Sequence, residues 1–189
     1  GCGTLPMAIA YAQYILCGNV GGENVGENTA CNLKFEHFSH PDLHFVFPVA
    51  GTDTVKSHAV SDNFMVEWRQ FLTESPYGSL FDWLKNLGIQ NKQGLIGVDE
   101  ATEINKKLSL KAYEGGYKVM IIWMADKMNG PSANKLLKLL EEPPAKTVFI
   151  LITESTSDML QTILSRCQVI DFIGLSESVI AEALVSREN

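Results

Sequence analysis

The sequence predicts an α/β domain of three layers, in which a mostly parallel sheet is flanked by helices. Residues 118–124 and 147–153 are short apolar runs rich in Ile, Val and Phe, each bounded by polar or turn-forming residues. Runs of this kind are typical of strands that are covered on both faces. Residues 129–140 lie between them and have the apolar spacing of a helix. This strand–helix–strand order favours a parallel sheet.

The first two thirds of the chain predict several helices and one further strand. Residues 5–16 predict a mostly buried helix. Residues 18–30 are rich in Gly and Asn without an apolar period, which predicts a mobile surface loop. The sequence His40-Pro41-Asp42 predicts a turn, followed by a strand at 43–49. Amphipathic helices are expected at 63–72, at 79–87 and from Asp99 to a glycine pair at 115–116.

The helix that follows residue 124 has clear start and stop signals. Asn129 can cap its first turn, which also carries Pro131. Pro143 and Pro144 end it, because a proline disfavours helical geometry at the preceding residue and has no backbone donor. Residues 118–153 therefore predict one strand–helix–strand unit.

Composition and charge limit the class of protein. The chain has 189 residues, of which 46% are hydrophobic and 20% charged, as in globular proteins. The formal net charge of −7 argues against a chain that binds nucleic acid by itself over a large surface. The longest apolar stretch falls short of the roughly 18 residues of a membrane helix, and we expect a cytoplasmic protein. Four unevenly spaced cysteines predict no disulfide framework; they are Cys2, Cys17, Cys31 and Cys167.

A motif in the last third of the chain carries a resemblance to a known family. Residues 134–153 read NKLLKLLEEPPAKTVFILIT and are followed by ILSRC at 163–167. This run resembles the ATPase-like domain of bacterial clamp-loader subunits, the gamma/tau and delta-prime family of DNA polymerase III within the AAA+ class. The resemblance implies a P-loop-type domain over residues 1–173 and the start of a helical lid domain at 174–189. It also implies that the chain begins inside the phosphate loop, so that its first strand is missing.

The resemblance implies that the nucleotide site of this chain is degenerate. In the family, a Gly-x-x-x-x-Gly-Lys-Ser/Thr loop supplies a lysine to the phosphates and a hydroxyl to Mg²⁺. When Gly1 and Gly3 are placed on this loop, Thr4 takes the lysine position and Leu5 takes the hydroxyl position. A shift of one residue would place Thr4 at the hydroxyl position, but the lysine would still be missing.

The acidic residues of the family's Walker B strand are also replaced. Trp123 and Met124 occupy the two positions, and neither side chain can bind a metal or accept a proton. Asp126 lies two residues further on and is interpreted as a polar residue near the next helix. Thr153 fits the family's polar sensor position. The resemblance therefore implies a delta-prime-like chain without ATPase activity, for which neither ATP nor Mg²⁺ is expected as a cofactor.

The same resemblance assigns a role in trans to Arg166. In delta-prime, the arginine of Ser-Arg-Cys reaches ATP bound on the neighbouring gamma/tau subunit, and Ser165 and Cys167 would shape the turn. A guanidinium presents a planar fork that suits phosphate oxygens. The alternative is that Arg166 only caps the preceding helix, which is expected to end near Leu164. The implied partners are the gamma/tau and delta subunits, with the sliding clamp and primer–template DNA contacted through the assembled complex.

Two other functions remain open at this point. One is an active P-loop ATPase whose missing upstream residues complete the site. The other is a zinc-stabilised DNA-binding module, for which Cys17 and Cys31 are weak candidate ligands, with His37, His40 and His44 following. A structural zinc site needs four converging ligands, usually in closely spaced pairs, and the sequence has no Cys-x-x-Cys pair. Zinc is therefore not expected.

Overall fold

The computed structural model describes residues 3–18, 29–114 and 116–187. Its α-helices are α1 (Thr4–Cys17), α2 (Thr29–Glu36), α3 (Met65–Glu74), α4 (Leu80–Asn86), α5 (Val98–Ser109), α6 (Gly130–Glu141), α7 (Gln161–Leu164) and α8 (Glu177–Arg187). Its strands are β1 (Leu43–Val46), β2 (Lys118–Trp123) and β3 (Thr147–Ile152). Short 3-10 helices lie at Ser61–Phe64, Ala125–Lys127 and Thr156–Asp158. Gly1, Cys2 and most of the loop predicted at 18–30 lie outside the described residues.

The three strands form one parallel sheet in the order β1-β2-β3. Leu43 of β1 is opposite Val119 of β2, which is opposite Val148 of β3. Each crossover between parallel strands contains helices, as such connections require. The parallel α/β class predicted from the sequence is therefore confirmed.

The central strand β2 is buried on both faces of the sheet. Val119, Ile121 and Trp123 point to one core, which also contains residues of α1, α3 and α4. Met120 and Ile122 point to a second core, formed with α5, α6 and α7. Because side chains alternate along a strand, one run of apolar residues serves both cores. Helices on both faces make the three layers that the sequence predicts.

Aromatic rings fill much of the first core. Trp68 stacks on Phe47 with ring centroids 4.2 Å apart and meets Trp83 edge-on at 5.1 Å. The buried indole N–H of Trp83 donates to the Pro48 carbonyl at 2.8 Å, as a buried polar atom requires. Trp123 extends this cluster to the end of β2, since its ring centroid lies 5.2 Å from that of Trp68.

The turn at His40 is held by polar contacts that are buried or partly buried. The Asp42 carboxylate accepts backbone N–H groups from Tyr113 at 2.7 Å and from Glu114 at 3.0 Å. The His40 Nδ1 accepts the backbone N–H of Asp42 at 3.1 Å, and its Nε2 lies 3.2 Å from a carboxylate oxygen of Glu114. Burial lowers the pKa of His40. His40 therefore fixes the entry into β1, which is the turn role that the sequence predicts.

Some element boundaries differ from the predicted ones. The strand predicted at 43–49 ends at Val46, because the Phe47 N–H donates to the Ser61 hydroxyl at 3.0 Å instead of continuing the ladder. The helix predicted at 63–72 covers Met65–Glu74 and follows a 3-10 turn. Of the helices in the described ranges, none is long and apolar enough to cross a membrane.

Candidate functional site

A cavity of about 770 Å³ opens at the carboxyl edge of the sheet. The first turns of α1, the ends of β2 and β3, and residues 168–172 line it. Ligand sites of open α/β sheets lie at this edge, because the carboxyl ends of parallel strands meet there. The structure brings together at this cavity Gly3, Thr4, Leu5, Trp123, Met124 and Thr153. Their role as a degenerate nucleotide site stays a prediction.

The described first turn of α1 carries no lysine. Gly3 has a left-handed backbone with φ of +83°, and a Cβ there would lie 3.5 Å from the Tyr77 ring. Glycine adopts this conformation without the strain of other residues. Leu5 is buried in the first core, so the predicted hydroxyl position holds an apolar side chain. The position of Thr4 offers a neutral hydroxyl in place of a lysine.

The cavity also has the wrong charge for a polyphosphate. Among the described residues that line it, the charged ones are Glu154 and Asp171, and both are acidic. Neither Lys nor Arg occurs among the described residues that line it. Phosphate binding uses positive charge or converging N–H donors. The described lining offers the first turn of α1 but no positively charged side chain.

The two residues predicted at the Walker B positions belong to the hydrophobic core. Trp123 and Met124 are each 3% exposed. The ring of Trp123 also lies 5.9 Å from that of Phe71. Met124 has a φ of +55°, a conformation that is uncommon for a residue with a Cβ. Neither side chain offers an oxygen, which is the ligand atom that Mg²⁺ prefers.

The side chains of Thr153 and Asp126 are hydrogen-bonded to each other at the end of the sheet. The Thr153 hydroxyl donates to Asp126 Oδ1 at 2.8 Å and accepts the Ser155 N–H at 3.1 Å. Lys127 Nζ lies 2.7 Å from Asp126 Oδ2, and this hydrogen bond raises the pKa of Lys127. Asp126 thus lies before α6 and has a buried, paired carboxylate. In the ranges that the structure describes, no cluster of three or more His, Cys, Asp or Glu side chains could hold a metal ion.

Arg166 lies in the turn that follows α7 and outside the lining of the cavity. Backbone bonds of 2.9 Å from Ser165 to Gln161 and 3.1 Å from Cys167 to Leu164 close this turn. The Arg166 Nη1 donates to the Thr162 carbonyl at 2.7 Å, which is the helix-capping contact of the alternative interpretation. Its role in trans stays a prediction.

The guanidinium of Arg166 also binds a carboxylate on another helix. Its Nε donates to Glu141 Oε1 at 2.9 Å, and its Nη2 donates to the same oxygen. Glu141 is the last residue of α6. No sequence signal pairs these residues, because the approach of α6 to α7 creates the contact. Cys167, next to Arg166, faces the cavity, and burial raises the pKa of its thiol.

The prediction that the cysteines form no disulfide was wrong for one pair. Cys17 and Cys31 are joined by a disulfide, with Cα atoms 5.6 Å apart. Cys17 ends α1 and Cys31 lies in the first turn of α2, and these helices contact each other. Zinc binds cysteine as a thiolate, so neither sulfur is available as a ligand in this state.

Over nearly the whole chain, the sequence is similar to delta-type subunits of DNA polymerase III. Residues 1–176 match the family described as "DNA polymerase III, delta subunit". The chain is 30% identical over 187 residues to DNA polymerase III subunit delta' of Haemophilus influenzae, which covers 99% of this chain and 44% of that protein. It is 28% identical over 188 residues to subunit delta' of Bacillus subtilis, with 100% and 44% covered.

Two further similarities involve the related gamma and tau subunits. DNA polymerase III subunit tau of Bacillus subtilis is 39% identical over 93 residues, which is 49% of this chain and 16% of that protein. A crystal structure of a gamma subunit-related protein from Thermotoga maritima has a TM-score of 0.48 and 18% identity, over 91% of this chain and 47% of that one. The chain spans less than half the length of the delta' relatives described above.

Proposed function

Because this chain belongs to the DNA polymerase III delta subunit family, we propose that it is the non-hydrolysing AAA+ domain of a delta-prime subunit in a clamp loader. In this role it binds a neighbouring gamma/tau subunit and supplies Arg166 to the ATP held there. The domain takes part in sliding-clamp loading during DNA replication without turning over ATP itself.

The acidic lining of the cavity carries the first half of this proposal. Glu154 and Asp171 are its charged residues, and Thr4 stands where a lysine is needed. Two negative charges near the triphosphate of ATP disfavour its binding, and the neutral hydroxyl of Thr4 does not supply the charge of a lysine. The buried Trp123 and Met124 offer no ligand for Mg²⁺. These features support a domain that neither binds nor hydrolyses ATP, and they argue against the active P-loop ATPase.

The surface position of Arg166 supports the second half. Its guanidinium is partly exposed and lies outside the lining of the chain's own cavity, so a phosphate on another subunit can reach it. An arginine supplied in trans stabilises the charge of the transferring phosphoryl group and can raise the rate about 10³- to 10⁵-fold. The Ser-Arg-Cys turn holds the side chain at a helix end, which limits the positions that it samples.

The proposal includes the partners and place of action that the family implies. The gamma/tau and delta subunits are the direct partners, and the sliding clamp and primer–template DNA are contacted through the assembled complex. The net charge of −7 fits a chain that does not hold DNA alone. Neither ATP, Mg²⁺ nor zinc is a cofactor of this domain, and its place of action is the cytoplasm.

Two measurements on the whole protein test this function. In isothermal calorimetry, MgATP is expected to give no saturable binding. In a clamp loader reconstituted with the cognate gamma/tau and delta subunits, Arg166→Ala is expected to lower DNA-stimulated ATP hydrolysis at least 100-fold, because the lost transition-state contact is not replaced. Arg69→Ala is the matched control, since it removes an exposed arginine on α3, and it should leave the rate unchanged.

Either half of the proposal can fail separately. Tight, Mg²⁺-dependent binding of ATP by the whole protein would contradict a degenerate site. An unchanged rate of hydrolysis in the Arg166→Ala complex would contradict the contribution in trans. Stoichiometric zinc in the purified protein would support the alternative function of a zinc-stabilised DNA-binding module.

A further inference from the structure

We propose that Glu141 is a positioning residue for Arg166, holding the guanidinium in the orientation in which it meets the phosphate of the neighbouring subunit. This inference rests on the proposed function, since it concerns the same arginine. It adds a second helix, α6, to the machinery that presents the arginine.

Hydrogen bonds within the domain engage most of the guanidinium N–H groups of Arg166. A guanidinium has five N–H groups in a rigid plane. Nε and one N–H of Nη2 donate to Glu141 Oε1, and Nη1 donates to the Thr162 carbonyl at 2.7 Å and more weakly to the Ser165 hydroxyl at 3.3 Å. Among the described residues, the second N–H of Nη2 has no acceptor. This group, together with the weakly bound N–H of Nη1, is available to phosphate oxygens.

Glu141 is well placed to fix an orientation because its own backbone is fixed. It ends α6, and the Glu142 N–H closes the last turn through a bond of 3.1 Å to the Lys138 carbonyl. Leu136 in the same helix is fully buried in the second core, which also contains Ile163 of α7. The helices that carry the carboxylate and the arginine are thus packed on one core, and their separation does not depend on the ion pair.

The ion pair is suited to positioning rather than to stability. The Arg166 and Glu141 side chains are 32% and 48% exposed, and exposed ion pairs contribute little to folding. A free arginine samples many rotamers, and ordering them during the reaction slows the chemical step. If the full rotamer entropy of arginine had to be lost in the transition state, the rate of hydrolysis would fall about 30-fold at most. The loss of Glu141 should therefore be visible in turnover and barely visible in stability.

A double-mutant cycle in the reconstituted clamp loader tests this inference. Four variants of the whole protein are compared. Three are the single substitutions Glu141→Ala, Glu141→Gln and Arg166→Ala, and the fourth combines Glu141→Ala with Arg166→Ala. We expect Glu141→Ala to lower kcat for ATP hydrolysis about 3- to 30-fold while KM changes less than about twofold. Glu141→Gln should recover part of the loss, because the amide oxygen still accepts from the guanidinium. The charge-matched control is Glu142→Ala at the next, exposed residue, and it should have no effect.

The cycle separates this inference from the proposed function. If Arg166→Ala leaves turnover unchanged, the contribution in trans fails. If Arg166→Ala lowers turnover but both Glu141 variants keep the full rate or exceed it, positioning by Glu141 fails alone. Glu141→Ala should have no further effect once Arg166 is absent. An equal loss in that background would show a structural role for Glu141 and would overturn the inference. Thermal unfolding of each variant checks that the domain remains folded.

Discussion

The indole rings of Trp68 and Trp123 lie 5.2 Å apart at 48° to each other, and they join α3 to the end of β2. From the sequence, Trp123 is predicted to replace a metal-binding acid of the resembled family. In this chain the position belongs to an aromatic cluster in the core, so loss of the acid is accompanied by a gain in packing. The end of β2 therefore contributes to the hydrophobic core.

Removal of the Trp123 ring is expected to destabilise the domain strongly. Trp123→Ala should lower the free energy of unfolding by about 3–5 kcal/mol, because it removes buried apolar area and leaves a cavity. Urea denaturation followed by circular dichroism measures the change. Phe81→Ala removes an aromatic ring that is 60% exposed and should cost much less. Equal losses in the two variants would contradict the packing role of Trp123.

The buried carboxyl group of Glu100 is expected to make stability depend on pH. Glu100 is 1% exposed in α5 and accepts the Ser61 N–H at 2.6 Å. Burial raises its pKa to about 7, against an ordinary value of 4.5. The folded state therefore keeps a proton that the unfolded state loses. The resulting stabilisation is fully present below pH 4.5 and is lost as the pH rises to about 7.

The size of this effect follows from the shift in pKa. Relative to Glu100→Gln, the unchanged protein should lose about 3 kcal/mol of unfolding free energy between pH 4.5 and pH 8. Half-buried His44, whose pKa desolvation lowers to about 4, has the opposite pH dependence, but it is common to both proteins and cancels in the difference. Urea denaturation at several pH values measures the difference. Glu103→Gln on the same helix should show no comparable divergence, and parallel pH curves for Glu100→Gln would contradict the prediction.

The disulfide between Cys17 and Cys31 is expected to stabilise the isolated domain. It joins residues separated by 14 positions. Closing a loop of this length lowers the conformational entropy of the unfolded chain, which raises the free energy of unfolding by about 3 kcal/mol. Reduction should therefore lower the free energy of unfolding by about that amount, measured by denaturation with and without reductant. The double variant Cys17→Ser, Cys31→Ser should be insensitive to reductant. The same denaturation midpoint in both conditions would show that the bond contributes nothing.

Local patterns predicted the elements that position the candidate site. The apolar runs at 118–124 and 147–153 became β2 and β3, and Asn129 caps α6 by accepting the Ser132 N–H at 2.9 Å. The buried His40 also has its predicted turn role. These features depend on residues close together in the chain, so their spacing alone carries the information.

The sequence by itself determined the parallel α/β class, the turn around Arg166 and the absence of acids at Trp123 and Met124. Tertiary structure alone decided that Glu141 binds Arg166, that Cys17 and Cys31 form a disulfide, and that the Glu100 carboxyl group is buried away from water. Each of these depends on how two distant elements pack. Periodicity specifies which face of an element is buried, but the side chains that meet across an interface depend on the relative placement of both elements.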